Sequence, residues 1–407
     1  MTTFYTRRSA IVSAQRCPRT RYWEYLALPV ECGCGGQPDC STCYGTGVRA
    51  GIMRDRVNVP LLVGSAVHAG LARLLEGDSV DTAVALARRG YDLELAASGL
   101  ELADSEEAGY VADEQRALTE ALVRLAAYGP VPRLLERYEV VWTERDFEQE
   151  LAPGVVLRGK PDALLREKDT GDLYILSWKT KGGSGMDDRA LEDGQHDDQG
   201  LSETWLVESE SGEDTAGVIM IWLLKGERRE TPKGSGRYTQ SSPLIRGYRK
   251  FGDDGQPEYA HSYYWADGSG SRHGLGKGWS KFDAWMEPGG VKEWINLLAT
   301  GHVQPDAGNP LADQFVMSAP YYRQPEDILD WVDQTIEQES AARYIAELCD
   351  SPNPWHQHRH SCSYPSRCSF YKICWGEPHV RVDPLANGYV RRRATVQVEK
   401  EGETDGE

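Results

Sequence analysis

The stretch from Tyr138 to Gly226 constrains the fold more than any other. Three β-rich segments come first, YEVVWTERDF, GVVLRGKPDALLRE and DLYILSWKTK, with turn signals between them, notably KDTGD. A helical stretch is expected over 187–208. The apolar run AGVIMIWLLKG that follows suits a buried strand. Upstream, VPLLVGSAVHAGLARLLEG passes Gly64, sets Val67, Leu71, Leu74 and Leu75 at helical spacing, and stops at Gly77. Two more helices are expected over 79–98 and 105–128, the second ending at YGP. Helices, three strands, a helix and another strand make an α/β core.

The flanks are less regular. Residues 9–28 predict a short helix carrying aromatics, and 31–51, rich in Gly and Cys, cannot be regular helix. Residues 227–280 read as an insertion rich in Gly, Ser, Tyr and Arg, 281–300 and 324–349 as helical, and EKEGETDGE as a disordered tail. A chain of 407 residues exceeds one ordinary core, so several parts are expected. We divide it at 1–30, 31–51, 52–130, 131–226, 227–345, 346–380 and 381–407. No apolar run is long enough for a bilayer, and MTTFYTRRSAIVSAQRC lacks the apolar stretch of a secretion signal, which predicts a cytoplasmic protein. The net charge of −18 argues against nonspecific polyanion binding, but phosphate contacts are local. Basic stretches occur at 226–230, 246–250 and 389–393; singly, each reads as solvated surface. Among twelve tryptophans, Trp265 and Trp279 could stack on bases, though packing is the safer role.

Nine cysteines in a reducing compartment point to metal or cluster ligands rather than disulfides. CGCGGQPDCSTCYGTG sets Cys32, Cys34, Cys40 and Cys43 on Gly-rich loops, as C-x-C, five residues, then C-x-x-C. That suits structural tetrahedral zinc, since four protein ligands leave no open position. CSYPSRCSFYKIC sets Cys362, Cys368 and Cys374 five residues apart, one thiolate short of a usual soft-metal site. Cys349 reads as a small helix hydrophobe.

Four further stretches matter together. GSAVHAGL puts His68 one turn past Gly64, where a lone histidine is more often structural. GKPDALL puts Asp162 after Pro161. YILSWKTKG puts Ile175, Ser177 and Lys179 on one strand face, and a lysine leaving an apolar strand needs a reason. DDQGLSETW puts Gln199 and Glu203 on one helical face.

The order of these motifs resembles the PD-(D/E)xK nuclease superfamily in its RecB-like branch, as do CPRTRYWEYL and CSYPSRCSFYKIC. CxxCYGTG separately resembles the zinc knuckles of DnaJ-type chaperones. The resemblance covers about the first quarter, 130–225 and 350–376. It implies a restriction-endonuclease-like α/β core, a mixed central sheet flanked by helices. An N-terminal helical and zinc-knuckle part and an iron–sulfur staple joining the termini complete the fold. By this resemblance, which takes in AddB-type, CRISPR-adaptation and phage exonucleases, Cys17 joins Cys362, Cys368 and Cys374 around a four-iron four-sulfur cluster. The first C-terminal spacing is wider than the family's usual one. The resemblance also implies magnesium or manganese held by His68, Asp162 and the Trp178 carbonyl, with Lys179 as the catalytic ammonium and Gln199 in support.

Ser177 stands where the family has Asp or Glu. Either a carboxylate reaches in from the next helix, such as Glu192, Asp197 or Asp198, or the metal is held more weakly, or the chain is an inactive DNA-binding or assembly relative. The leading expectation is a bacterial or phage DNA nuclease, an exonuclease on single strands or duplex ends, serving recombination, repair or phage DNA processing. A helicase or strand-annealing recombinase is the partner by analogy, and no membrane is involved. A redox or chaperone-like zinc protein would leave His68, Asp162 and Lys179 unexplained.

Overall fold

The computed structural model describes residues 4–32, 48–54, 59–97, 115–181, 191–192, 194, 197–224, 248–251, 257–259, 303–305, 315–348, 351–363, 367–376 and 378–392. Cys34, Cys40, Cys43, Cys349, Trp265, Trp279 and the expected helix at 281–300 lie outside these residues. So does the tail from 393 onward.

The chain opens with β1 (Phe4–Arg7) and α1 (Arg8–Arg16). The single helix expected over 9–28 is broken at Cys17, which is extended (φ −168°, ψ 113°). Pro18 explains the break: it has no N–H to offer and pushes the preceding residue out of the helical region. α2 (Pro18–Arg21) and a π-helical turn (Tyr22–Leu26) follow. Short strands β2 (Val30–Glu31), β3 (Val48–Arg49) and β4 (Ile52–Arg54) lead to α3 (Val59–Leu75), α4 (Val80–Ala97), α5 (Gln115–Tyr128) and α6 (Pro130–Arg137).

The β-rich region folds as β5 (Tyr138–Thr143), β6 (Phe147–Ala152), β7 (Val155–Gly159), β8 (Ala163–Glu167) and β9 (Leu173–Lys181). Then come α7 (Asp198–Ser211) and β10 (Thr215–Leu224). The helix expected over 187–208 is divided: residues 191, 192 and 194 are helical, and α7 starts afresh where the Asp197 side chain caps it by accepting from Gln199 N; it stops at Gly212, where φ is +69°. Strand β11 (Tyr248–Phe251) pairs antiparallel with both β12 (Pro257–Tyr259) and β13 (Val303–Pro305). β14 (Phe315–Met317) and the long α8 (Pro325–Leu348) precede the cysteine segment.

Five strands form the main sheet in the order β14-β10-β9-β8-β5. β9 and β10 run parallel, joined through α7; the other pairs are antiparallel. A second sheet has the order β1-β7-β6. The chain therefore changes sheets twice, leaving the main sheet after β5 and returning at β8. Pro161 suits that return, since it cannot donate within a central ladder.

Both faces of the main sheet are buried. Tyr174, Leu176 and Trp178 of β9, with Ile219, Ile221 and Leu223 of β10, pack against α3, α4 and α5. Ile175, Val218, Met220 and Trp222 face the other way, onto Leu206 and Val207 of α7 and Trp331 and Val332 of α8. Each such side chain contributes roughly 1.5–3 kcal/mol. A third cluster joins the two ends of the chain: Tyr22, Trp23 and Ile52 pack with Trp355, Phe370, Ile373 and Tyr389. The buried Arg21 guanidinium binds the Glu339 carboxylate of α8 beside it. Among the described residues, no helix is long and apolar enough to cross a membrane.

Candidate active site

The two places where the chain changes sheets meet. The turn after β5 places Glu144, and the step into β8 places Asp162; Glu144 N donates to Asp162 O at 2.9 Å. Glu144 takes φ +47°, a strained conformation for a residue with a Cβ. Its carboxylate accepts from Lys160 Nζ at 2.5 Å. Asp162 Oδ2 accepts from Trp178 N at 2.7 Å, and Oδ1 lies 2.8 Å from His68 Nδ1. His68 reaches the sheet because α3 packs closely against β9 at Gly64, where a Cβ would come within 3.3 Å of Thr180 Oγ1. Ligand atoms of His68, Glu144 and Asp162 all lie within 4.8 Å of one another, the one such set among the described residues.

The charges here are strongly coupled. Burial opposes the ionised form of Asp162, yet His68, the Trp178 amide and Lys179 outweigh it and hold the carboxyl below its ordinary value. Burial likewise opposes charge on His68, but the adjacent Asp162 outweighs it and raises the imidazole above its ordinary value.

Lys179 leaves β9 toward α7, where its ammonium donates to Gln199 Oε1 and lies 3.9 Å from Asp197 Oδ2. Gln199 Oε1 also accepts from Arg8 Nη1 at 3.0 Å, and Arg8 Nη2 binds Asp197 Oδ1 at 2.9 Å. The other end of the Gln199 amide donates to Glu203 Oε1 at 2.6 Å and to Ser177 Oγ at 3.3 Å. Ser177 is fully buried, and Glu203 is 6% exposed. Burial pushes the Glu203 carboxyl up to about 8, against the pull of Lys179.

The sequence-derived residues His68, Asp162, Ser177, Lys179 and Gln199 thus lie in one connected network. Trp178 joins it through its backbone while its ring packs in the core. Of the candidate replacement carboxylates, Glu192 is exposed and Asp197 is engaged as a helix cap and with Arg8. Glu144 and Arg8 were missed. Glu144 sits in an acidic turn with no motif around it, and Arg8 in a basic pair that looks like ordinary surface.

Nine residues along α1 from Arg8, Cys17 marks a second gathering. His358 N donates to Cys17 Sγ at 3.4 Å, and Cys362 Sγ contacts His358 O at 3.7 Å. Trp375 Nε1 donates to Cys362 Sγ at 3.3 Å, and Thr20 Oγ1 lies 3.7 Å from Cys368 Sγ. Burial pushes the Cys374 thiol up to about 11, and Cys368 and Cys17 add to the rise. Cys17 and Cys362 thus meet at His358, and Cys368 and Cys17 lie within electrostatic reach of Cys374. Of the N-terminal four, only Cys32 lies among the described residues.

A mixed sheet flanked by helices, with a carboxylate entering one strand and a lysine on the next beside an imidazole, defines a nuclease-type α/β core. The family model of the PD-(D/E)XK nuclease superfamily matches residues 39–374, and the chain belongs to that superfamily. No curated protein matches it.

Proposed function

We propose that the chain is a metal-dependent DNA nuclease, an exonuclease working on single strands or duplex ends in recombination, repair or phage DNA processing. The carrying observation is the convergence of His68, Glu144 and Asp162 within 4.8 Å beside the strand that bears Lys179. One imidazole and two carboxylates form a hard donor set that fits magnesium or manganese. A residue's N–H and C=O face the same side of an extended strand, so the Trp178 carbonyl, a further ligand, faces the Asp162 edge with its amide. A cation so held would neutralise nonbridging phosphate oxygens and lower the pKa of a bound water. Lys179 stabilises charge developing on the phosphate, and Gln199 with Arg8 holds the ammonium in place.

End-labelled DNA with magnesium or manganese is the test. We expect degradation that is lost in Asp162→Ala and in Lys179→Ala. The neutral, buried Ser177 favours a second reading, an inactive DNA-binding or assembly relative. DNA binding without turnover under either metal would select it.

Cys17, Cys362, Cys368 and Cys374 are proposed to hold a four-iron four-sulfur cluster. A brown protein bleached by air supports this; zinc as the sole metal would refute it. Zinc at Cys32, Cys34, Cys40 and Cys43 is tested by the same elemental analysis.

A further inference from the structure

The two chain ends that meet at the sulfurs carry a charge pattern that the cysteines do not explain. Residues 4–23 hold five arginines, and 351–376 hold two arginines and a lysine; neither stretch contains an Asp or Glu, in a chain of net charge −18. The fold joins them: Arg19 N donates to His356 O at 3.0 Å, Arg19 Nε to Trp355 O at 3.1 Å, and His358 Nδ1 to Arg16 O at 3.1 Å. Among these cations, Arg21 is buried against Glu339 and Arg8 is bound to Asp197. Arg16, Arg359, Arg367 and Lys372 are exposed, and among the described residues they have no carboxylate partner. On α4 and α5 the pattern is the opposite: Arg88 pairs with Glu120, Arg116 with Asp92 and Arg124 with Asp81.

Aromatic rings lie among the unpaired cations. Trp375 is 46% exposed, with the Arg359 guanidinium 5.7 Å from its ring centroid, and the Arg367 guanidinium is 4.9 Å from that of Tyr371. Trp375 Nε1 donates to Cys362 Sγ, which fixes the indole at the surface. Cations that attract phosphates, beside rings that can stack on a base, suit a single strand, whose base faces are open; a duplex hides them. The surface also leads to the oxygen corner. Exposed Val12, Gln15 and Arg16 continue one helical stripe from Arg8, about 13 Å along α1. Arg8 in turn binds the Gln199 oxygen that holds Lys179.

We propose that the acid-free face bearing Arg16, Arg359, Arg367, Lys372 and Trp375 is a docking surface for single-stranded DNA, from which the stripe of α1 leads the strand to Lys179. This rests on the reading of the chain as a DNA nuclease. The test is binding of a labelled oligothymidine to the full chain carrying Asp162→Ala, which holds the strand uncut, over a range of salt concentrations. Adding Arg359→Gln, Arg367→Gln and Lys372→Gln should weaken binding about ten-fold or more and flatten the slope of log affinity against log salt by about 2, at about 0.7 per lost phosphate contact. A control with Arg88→Gln, Arg116→Gln and Arg124→Gln makes the same change in net charge and should bind as the Asp162→Ala chain does. If the first triple does not fold, Arg367→Gln with Lys372→Gln leaves the Arg359–Trp375 contact in place and should flatten the slope by about 1.4. Unchanged affinity and slope, an equal loss in the control, or no binding by the Asp162→Ala chain would overturn the surface. A duplex that binds as tightly and loses as much would overturn the single-strand assignment. The nuclease reading fails separately: a parent chain that binds in this way and cuts with neither metal overturns that reading and leaves the surface standing.

Discussion

Two groups of chemically distinctive side chains stand at opposite ends of one nine-residue helix, α1. At the Arg8 end, oxygen and nitrogen groups crowd together: His68, Glu144 and Asp162 have ligand atoms within 4.8 Å of one another, and Lys179, Ser177 and Glu203 all bond to Gln199. At the Cys17 end, sulfurs sit on turns and short helices, touched by backbone and side-chain polar groups. The difference follows from what each set suits. A small hard cation needs oxygens pressed close enough to repel, which requires a sheet and helices to hold them. The proposed cluster would take soft sulfurs, and the two ends of the chain, packed together, bring those cysteines to one place. The oxygen corner reads as the place of chemistry, the sulfur corner as a fastening.

The comparison holds only if the two corners fail separately. The largest effect is expected in Asp162→Asn, which should lower DNA cleavage by about 10⁴-fold, several kcal/mol of lost charge stabilisation. The visible absorbance of the sulfur corner should remain unchanged. A parallel loss of colour would show that the two corners are one unit.

The next effect concerns the oxygen corner without metal. Glu203 titrates at about 8 in the folded chain, above the 4.5 of an ordinary glutamate, so the fold binds its proton more tightly than the unfolded chain does. Stability in chelator should therefore fall as pH rises from 4.5 through 8, by up to about 5 kcal/mol. Denaturant titrations across that window should show Glu203→Gln free of this loss and more stable than the parent at pH 8.

The fastening has its own weak point in the Arg21–Glu339 pair, where both side chains are almost wholly buried. Arg21→Met leaves Glu339 buried without its partner and should cost about 3–5 kcal/mol. Thermal melts should show the loss, while Asp162-dependent cleavage persists in the molecules that remain folded. Smallest is Arg8→Ala, which frees one end of Gln199 and should reduce cleavage about ten-fold, a loss of about 1.4 kcal/mol. Manganese affinity should stay close to that of the parent. A large loss of manganese binding would place Arg8 inside the cation centre and blur the division drawn above.

Much of the oxygen corner was legible in advance. Period-two alternation put Ser177 and Lys179 on one face of β9, and both do meet α7. Helical spacing put Gln199 and Glu203 together, and they share a hydrogen bond of 2.6 Å. The helix expected over 324–349 corresponds to Pro325–Leu348. Other boundaries failed for identifiable reasons. Pro18 divided one helix into two, and a capping aspartate, Asp197, sets where α7 begins. GVVLRGKPDALLRE looked like one β-rich segment but serves two sheets, broken at Pro161. That break releases Asp162 from the ladder and turns it toward His68.

Local pattern sufficed for what depends on near neighbours along the chain: the alternation of strands and helices, the faces of β9 and α7, the serine in an acid's place and the spacing of the sulfurs. Periodicity records which way a side chain points, and it does so over a few residues. It carries no information about what waits on the other side. Only the packed structure could bring Glu144 beside Asp162 from another sheet corner, set Arg8 against Gln199, and leave one Glu203 oxygen buried and unbonded. Those contacts depend on sheet order and register, which arise from the whole core closing at once.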